Sequence, residues 1–186
     1  TSKEEMQSMN EELQTVNHEL QSKVDELSRA NNDMKNLLNS TDIATLFLDN
    51  DLKIRRFTTQ ATKLINLIPS DVGRPITDLA SGLLYPDLPD DARKVLRRLG
   101  FMEKPVSARN GGWFTVRIMP YRTMDDRIDG VVITFLDISV AKALEAKLQE
   151  MQVTLKTRLA GQSAKLDKAR GDLKAERKRT RKPDAG

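Results

Sequence analysis

Cysteine is absent from this chain, and that one gap closes several chemistries. No disulfide, zinc–thiolate centre, thiol nucleophile or cysteinyl-flavin adduct can form without it. Histidine is nearly as scarce. His18 is the one imidazole, and it falls in a Glu- and Gln-rich stretch where it reads as solvated helix surface. Aromatic residues make up 4% of the composition, so stacking platforms for bases or for a flavin ring are few. No apolar run approaches the ~18 residues that span a bilayer, and no signal-peptide pattern opens the chain. The lack of cysteine is compatible with a cytosolic address without proving one, and the expected location is cytoplasmic. Thr1 stands where an initiator Met would be, which gives the expectation of an internal fragment of a longer protein.

Proline and glycine are missing from the first 38 residues, where Glu, Gln, Lys, Leu and Met dominate. At ~1.5 Å per residue that stretch predicts a helical rod roughly 55 Å long. Met6, Leu13, Leu20, Leu27 and Met34 recur every seven residues along it. Met9, Val16, Ala30 and Leu37 follow four of them by three, and Lys23 is the polar intruder in that second series. This 3-4-3-4 spacing is the seam of a left-handed coiled coil. The stripe is narrower than a helix lying on a sheet would carry. Met6, Met9, Leu13, Val16, Leu20, Leu27, Met34 and Leu37 are therefore the expected interface of a parallel homodimer.

The net charge of +4 comes largely from the other end. There Lys165, Lys168, Arg170, Lys174, Arg177, Lys178, Arg179, Arg181 and Lys182 outnumber Asp167, Asp172, Glu176 and Asp184. A basic segment suits nucleic acid, anionic lipid or an acidic protein. No aromatic side chain is interleaved with these charges, so a solvated helix end is preferred and nucleic acid is disfavoured.

Between the two ends the pattern is that of one ordinary domain. Ile43–Leu48 and Leu52–Phe57 read as a hairpin around Asp49-Asn50-Asp51. That triplet fails as a calcium loop, because Ile54 stands where Gly is needed and Gln60 where the closing acid belongs. Short helical pieces follow to Gly100, the last launched by Pro89-Asp90-Asp91 and carrying Val95, Leu96 and Leu99. Three strands come next: Glu103–Arg109, Trp113–Tyr121 after an Asn-Gly turn, and the nearly all-apolar Gly130–Ile138. From Ser139 a helical period returns through Leu144, Leu148, Met151 and Leu155, then shifts frame through Leu159, Leu166 and Leu173. The predicted organisation is a coiled-coil helix over 1–39, a domain over 40–138, an output helix over 139–176 and a disordered basic tail over 177–186.

Helix, two strands, short helices, three strands, helix is an order that resembles the PAS sensor fold. It implies an α+β domain with a five-stranded antiparallel sheet and helices on one face. Leu136-Asp137-Ile138-Ser139 looks like the Asp-Ile-Thr signature at which PAS domains pass from last strand to output helix, with Ser139 in place of Thr. The runs Asn10–Asp49 and Pro120–Ser139 are similar to the linker and closing strands of bacterial chemotaxis fusion proteins. Those join a methylesterase, a methyltransferase of receptor glutamates and a PAS domain. The resemblance implies a non-catalytic C-terminal regulatory module, with Asp137, Ile138 and Ser139 as the signal relay and the catalytic domains upstream as partners. Asp137 would pair with Arg117 or Arg127 to set the helix exit angle.

PAS domains often hold a small molecule between sheet and short helices. Leu46, Ile54, Leu64, Val95, Leu99, Phe114, Val116 and Val132 are the candidate lining, and plain core is the preferred reading for them. Haem is disfavoured because His18 lies outside the domain, and cysteinyl-flavin because cysteine is absent. No cofactor or metal is expected, with a noncovalent flavin or other small ligand left open. Asp49, Asp51, Asp125 and Asp126 lie in turns and not in a cleft, so no acid–base constellation emerges. Three alternatives to a relay remain: a metabolite sensor, an adaptor that meets nucleic acid or an acidic partner through the basic tail, and a pure scaffold that serves only as a dimerisation block in a longer enzyme.

Overall fold

The computed structural model describes residues Thr1–Arg181, and the chain divides after Ile138 into two units. In the first unit, α1 (Ser2–Ser40) is one unbroken helix of 39 residues. It ends where Ser40 and Thr41 turn their hydroxyls back onto the Leu37 and Leu38 carbonyls, and Thr41 takes extended backbone.

A five-stranded antiparallel sheet follows, ordered β2-β1-β5-β4-β3. Its strands are β1 (Ala44–Leu48), β2 (Ile54–Phe57), β3 (Met102–Ser107), β4 (Trp113–Arg122) and β5 (Ile128–Asp137). The expected hairpin forms, but its second strand begins later than Leu52. The Asp49 carboxylate accepts the amides of Asp51 and Lys53, each at 2.9 Å, and Leu52 is forced to φ +60°. Gly111, at φ +84°, closes the β3–β4 hairpin, with the Asn110 side chain accepting the Gly112 amide.

Alternation decides which side of the sheet is core. Ala44, Leu46 and Leu48, then Phe114, Val116 and Ile118, then Val131, Ile133 and Phe135 are buried under the short helices. Those helices are α2 (Ala61–Leu64), two single 3₁₀ turns at Pro69–Asp71 and Ile76–Asp78, and α3 (Leu88–Arg98). Thr58 fastens the end of β2 to β1. Its amide donates to the Thr45 carbonyl, and its hydroxyl accepts the Thr45 amide at 2.9 Å.

The second unit is α4 (Ser139–Thr180), an unbroken helix of 42 residues with no buried side chain. The sequence ends this helix at 176, whereas it continues to Thr180, so the start of the expected disordered tail is helical. The rest of that tail, residues 182–186, lies outside the described residues. Gly161 and Gly171 do not interrupt the helix. Among the described residues no helix is long and apolar enough to cross a membrane.

Candidate functional site

The apolar stripe of α1 faces water in the single chain. Met6, Met9, Leu13, Val16, Leu20, Leu27, Met34 and Leu37 are each between 50% and 70% exposed. In heptad terms Met6 opens an a position and Met9 a d position, so the e positions are Asn10, Asn17, Val24, Asn31 and Leu38. The g positions are Glu5, Glu12, Glu19, Glu26 and Asp33, an unbroken acidic row that the hydrophobic spacing alone does not reveal. His18 lies at an f position, away from the seam. Lys23, at d, leans out to Glu26 at 3.1 Å.

The last turns of α1 approach the sheet face opposite the core. From the middle of β2, Arg56 donates one terminal nitrogen to the Asn31 side-chain oxygen at 3.1 Å and the other to the Met34 sulfur at 3.4 Å. Gln60 donates to the Asn39 carbonyl at 2.8 Å. Between helix and sheet runs an open groove of about 940 Å³. Seam residues Leu27, Ala30, Met34 and Leu37 line one wall. Phe47 and Tyr121, packed edge to face at 6.4 Å, line the other.

On the core side a second cavity, about 500 Å³, opens among the short helical pieces. Ile65, Ile76, Leu83 and Leu88 supply apolar walls, with Ser81 and Arg109 at polar positions. None of the eight residues expected to line a groove lines this one. Leu46, Ile54, Val95, Phe114 and Val116 are buried core, and Leu64 packs against them. Val132 points to the opposite face of the sheet, across from Phe47 and Met119. Leu99 caps α3 in left-handed backbone at φ +55° and is half exposed, because a helix ending there cannot keep it on the core side.

Beside this cavity sits a charged cluster that the sequence reading did not single out. Asp91 is buried on α3, yet it is an acid. Tyr85 donates its hydroxyl to one carboxylate oxygen at 2.6 Å, and Lys104 reaches the same oxygen from β3 at 2.7 Å. Lys94 takes the other oxygen at 2.9 Å. The Lys104 ammonium also stands 4.0 Å from the Tyr85 ring centroid. Burial opposes ionisation of Asp91, but the bonds from Lys104, Tyr85 and Lys94 outweigh it and hold its pKa well below the usual carboxylate range. Burial, then the hydrogen bond to Asp91, pushes the Tyr85 phenol up. A carboxylate this well satisfied is locked as an anion, so it ties α3 to β3 and is unsuited to carry protons.

At the exit, β5 ends at Asp137 and α4 starts at Ser139, leaving Ile138 as the one residue between them. The Ile138 amide donates to the Trp113 carbonyl at 2.8 Å, which ties the residue after β5 to the first residue of β4. Arg117 pairs with Glu103 at 2.6 Å. Arg127 sits at the far end of β5, about 30 Å of strand from Asp137.

The pattern of the PAS domain family matches residues 34–139. An uncharacterized 104.1 kDa protein from the hypE 3' region of Rhodobacter capsulatus is 40% identical over 122 residues. The match takes in 66% of this chain but 13% of that protein. Among solved structures, the PAS domain of histidine kinase ThkA superposes with a TM-score of 0.45 at 23% identity, over 51% of this chain and 98% of its own. A sensory box sensor histidine kinase from Vibrio cholerae gives 0.43 at 13% identity, over 62% and 97%. The family pattern covers more than half of the sequence and spans the whole five-stranded sheet; the chain belongs to the PAS domain family.

Proposed function

We propose that this chain is a dimeric, non-catalytic PAS module that relays a signal between its flanking helices. The observation that carries this reading is the solvent-facing a/d stripe on an unbroken 39-residue helix. A stripe of that length exposed to water is unfavourable, and a second copy covers it with chemistry identical to its own. The acidic g row favours a parallel pair. Antiparallel helices would set g against g, and Glu5, Glu12, Glu19, Glu26 and Asp33 would face acids. In a parallel pair the same row faces the e positions, where Asn10, Asn17 and Asn31 offer amide donors.

On this reading the output side is Asp137-Ile138-Ser139, where one residue separates β5 from α4. The relative in Rhodobacter capsulatus is several times longer than the matched region. A regulatory segment within a larger chemotaxis-type methyltransferase and methylesterase protein of the cytoplasm fits that, with those catalytic domains as partners. Light scattering on the full chain tests the pairing: a mass of two chains is expected, and a monomer at high concentration refutes it.

The cavity beside Tyr85 favours a second reading, a PAS sensor for a small metabolite. Its walls suit a mainly apolar molecule with one acidic or hydrogen-bonding end directed at Arg109. Mass spectrometry of the denatured, freshly purified chain would detect such a ligand, and a clean spectrum together with unaltered melting in metabolite mixtures would exclude it.

A further inference from the structure

The groove between α1 and the sheet has the seam for one wall, and that decides what fills it. Leu27, Ala30, Met34 and Leu37 are a and d residues, so a helix zipped to them must lie in the groove and cover Phe47 and Tyr121. The e flank of the same turns points at the chain's own sheet, because Arg56 bonds to Asn31, an e residue. In a parallel pair each e residue meets the g residue five positions earlier on the partner. The residue brought against Asn31 is Glu26.

We infer that Glu26 of the partner subunit docks on Arg56, forming a symmetric pair of inter-subunit ion pairs that fixes the coiled coil against the sheet. This deepens the dimer reading and rests on it. The chemistry is complementary at each point. Both groups that Arg56 meets on α1 are neutral, and its guanidinium has five N–H donors of which these contacts engage two. Among the described residues Glu26 pairs with Lys23, one turn away on the exposed helix surface, a pairing that exchanges easily. Two-fold symmetry makes the contact twice, once at each subunit's β2. The acidic g row thereby has a basic counterpart supplied by the domain and not by the helix.

The test uses two full-length variants, Arg56→Glu and Glu26→Arg, purified separately and mixed. Each homodimer would set like charges together at both contacts. Their heterodimer would set opposite charges together at both. Native mass spectrometry should show the heterodimer favoured over the statistical mixture by about tenfold in the exchange constant at low salt, fading at high salt. The double variant, carrying both changes in one chain, should pair with itself as tightly as the unaltered protein. Both positions are exposed, and Trp113 fluorescence checks that each variant is folded. A statistical mixture of dimers would overturn the contact while leaving the dimer standing. Monomers throughout, the unaltered chain included, would remove the dimer and the contact with it.

Discussion

Replacing Asp91 with Ala removes three hydrogen bonds at once and leaves a buried tyrosine hydroxyl without its acceptor. The size of the loss follows from who can reach water. The side chains of Lys94 and Lys104 are 47% and 37% exposed, so solvent screens both ion pairs. Each is then valued as a surface pair, about 0.5–1 kcal/mol. The Tyr85 bond is buried at both ends and adds about 1–1.5 kcal/mol. The sum is a destabilisation of about 2–3.5 kcal/mol near pH 7. Asp91→Asn keeps an acceptor for Tyr85 and should lose about half as much.

The pH dependence isolates the charge. The folded-state pKa of Asp91 is depressed, so its contribution is complete above the unfolded value of about 3.9 and is lost as pH falls toward the folded one. Each pH unit below about 3.9 removes at most about 1.4 kcal/mol from the unaltered protein. The Ala variant has no such group, so the gap between the two proteins should narrow by about 1–2 kcal/mol between pH 5 and pH 2.5. Denaturant titration followed by Trp113 fluorescence reads this cleanly. Trp113 is the one tryptophan and lies on β4, and neither long helix contains an aromatic residue. A cost below about 0.5 kcal/mol at pH 7, or a gap that stays constant into acid, would refute the assignment of Asp91 as the anionic tie between α3 and β3.

Three further outcomes are expected. Leu20→Asp should weaken the dimer by about 100-fold or more in sedimentation equilibrium, because each chain forfeits about 1–1.5 kcal/mol of burial and gains an acid in the seam. Lys23→Leu should strengthen pairing and raise the concentration-dependent melting of helix ellipticity, since it replaces like charges facing each other across a d layer. Gly130→Ala should cost about 3–4 kcal/mol in the same Trp113 titration. Gly130 stands at φ +140°, and an added Cβ would lie 1.9 Å from the Leu48 carbonyl oxygen.

Periodicity made the architecture legible wherever two faces differ in polarity. The α1 stripe, the alternation in Trp113–Tyr121 and the Asn-Gly turn all have that contrast. Gly130–Ile138 does not: Val131, Val132 and Ile133 are equally apolar, so nothing in the run says that Val132 turns away from the core. Leu99 misled for another reason. It continues the apolar side of α3, but the helix ends on it, and the left-handed cap rotates it out. Asp91 could have been found. Leu88, Asp91, Ala92 and Val95 follow the i, i+3, i+4, i+7 spacing of a buried face, and all four are buried. The adjacent Asp90 disguised it, since paired acids in a first turn ordinarily complement the helix dipole in solvent. Arg56 was not legible at all, because its meaning depends on which flank of α1 the sheet meets.

The strand order supplies the route by which a change at the seam would arrive at the exit. Arg56 is on β2, the edge strand that faces α1. β2 pairs with β1, and β1 pairs with β5 along its whole length, from Ala44 opposite Phe135 to Leu48 opposite Val131. β5 runs out into Asp137, one residue from α4. In the proposed relay, three hydrogen-bonded strands thus lie between α1 and the residue that precedes α4. Rotation of the proposed helix pair would swing Asn31 and the acidic row together against β2. Under the relay reading, rotation of the pair is the expected input. Joining α1 to a helix of fixed phase and adding residues one at a time between them should give an output at Ser139 that repeats with the helical period of 3.6 residues and does not climb steadily with length.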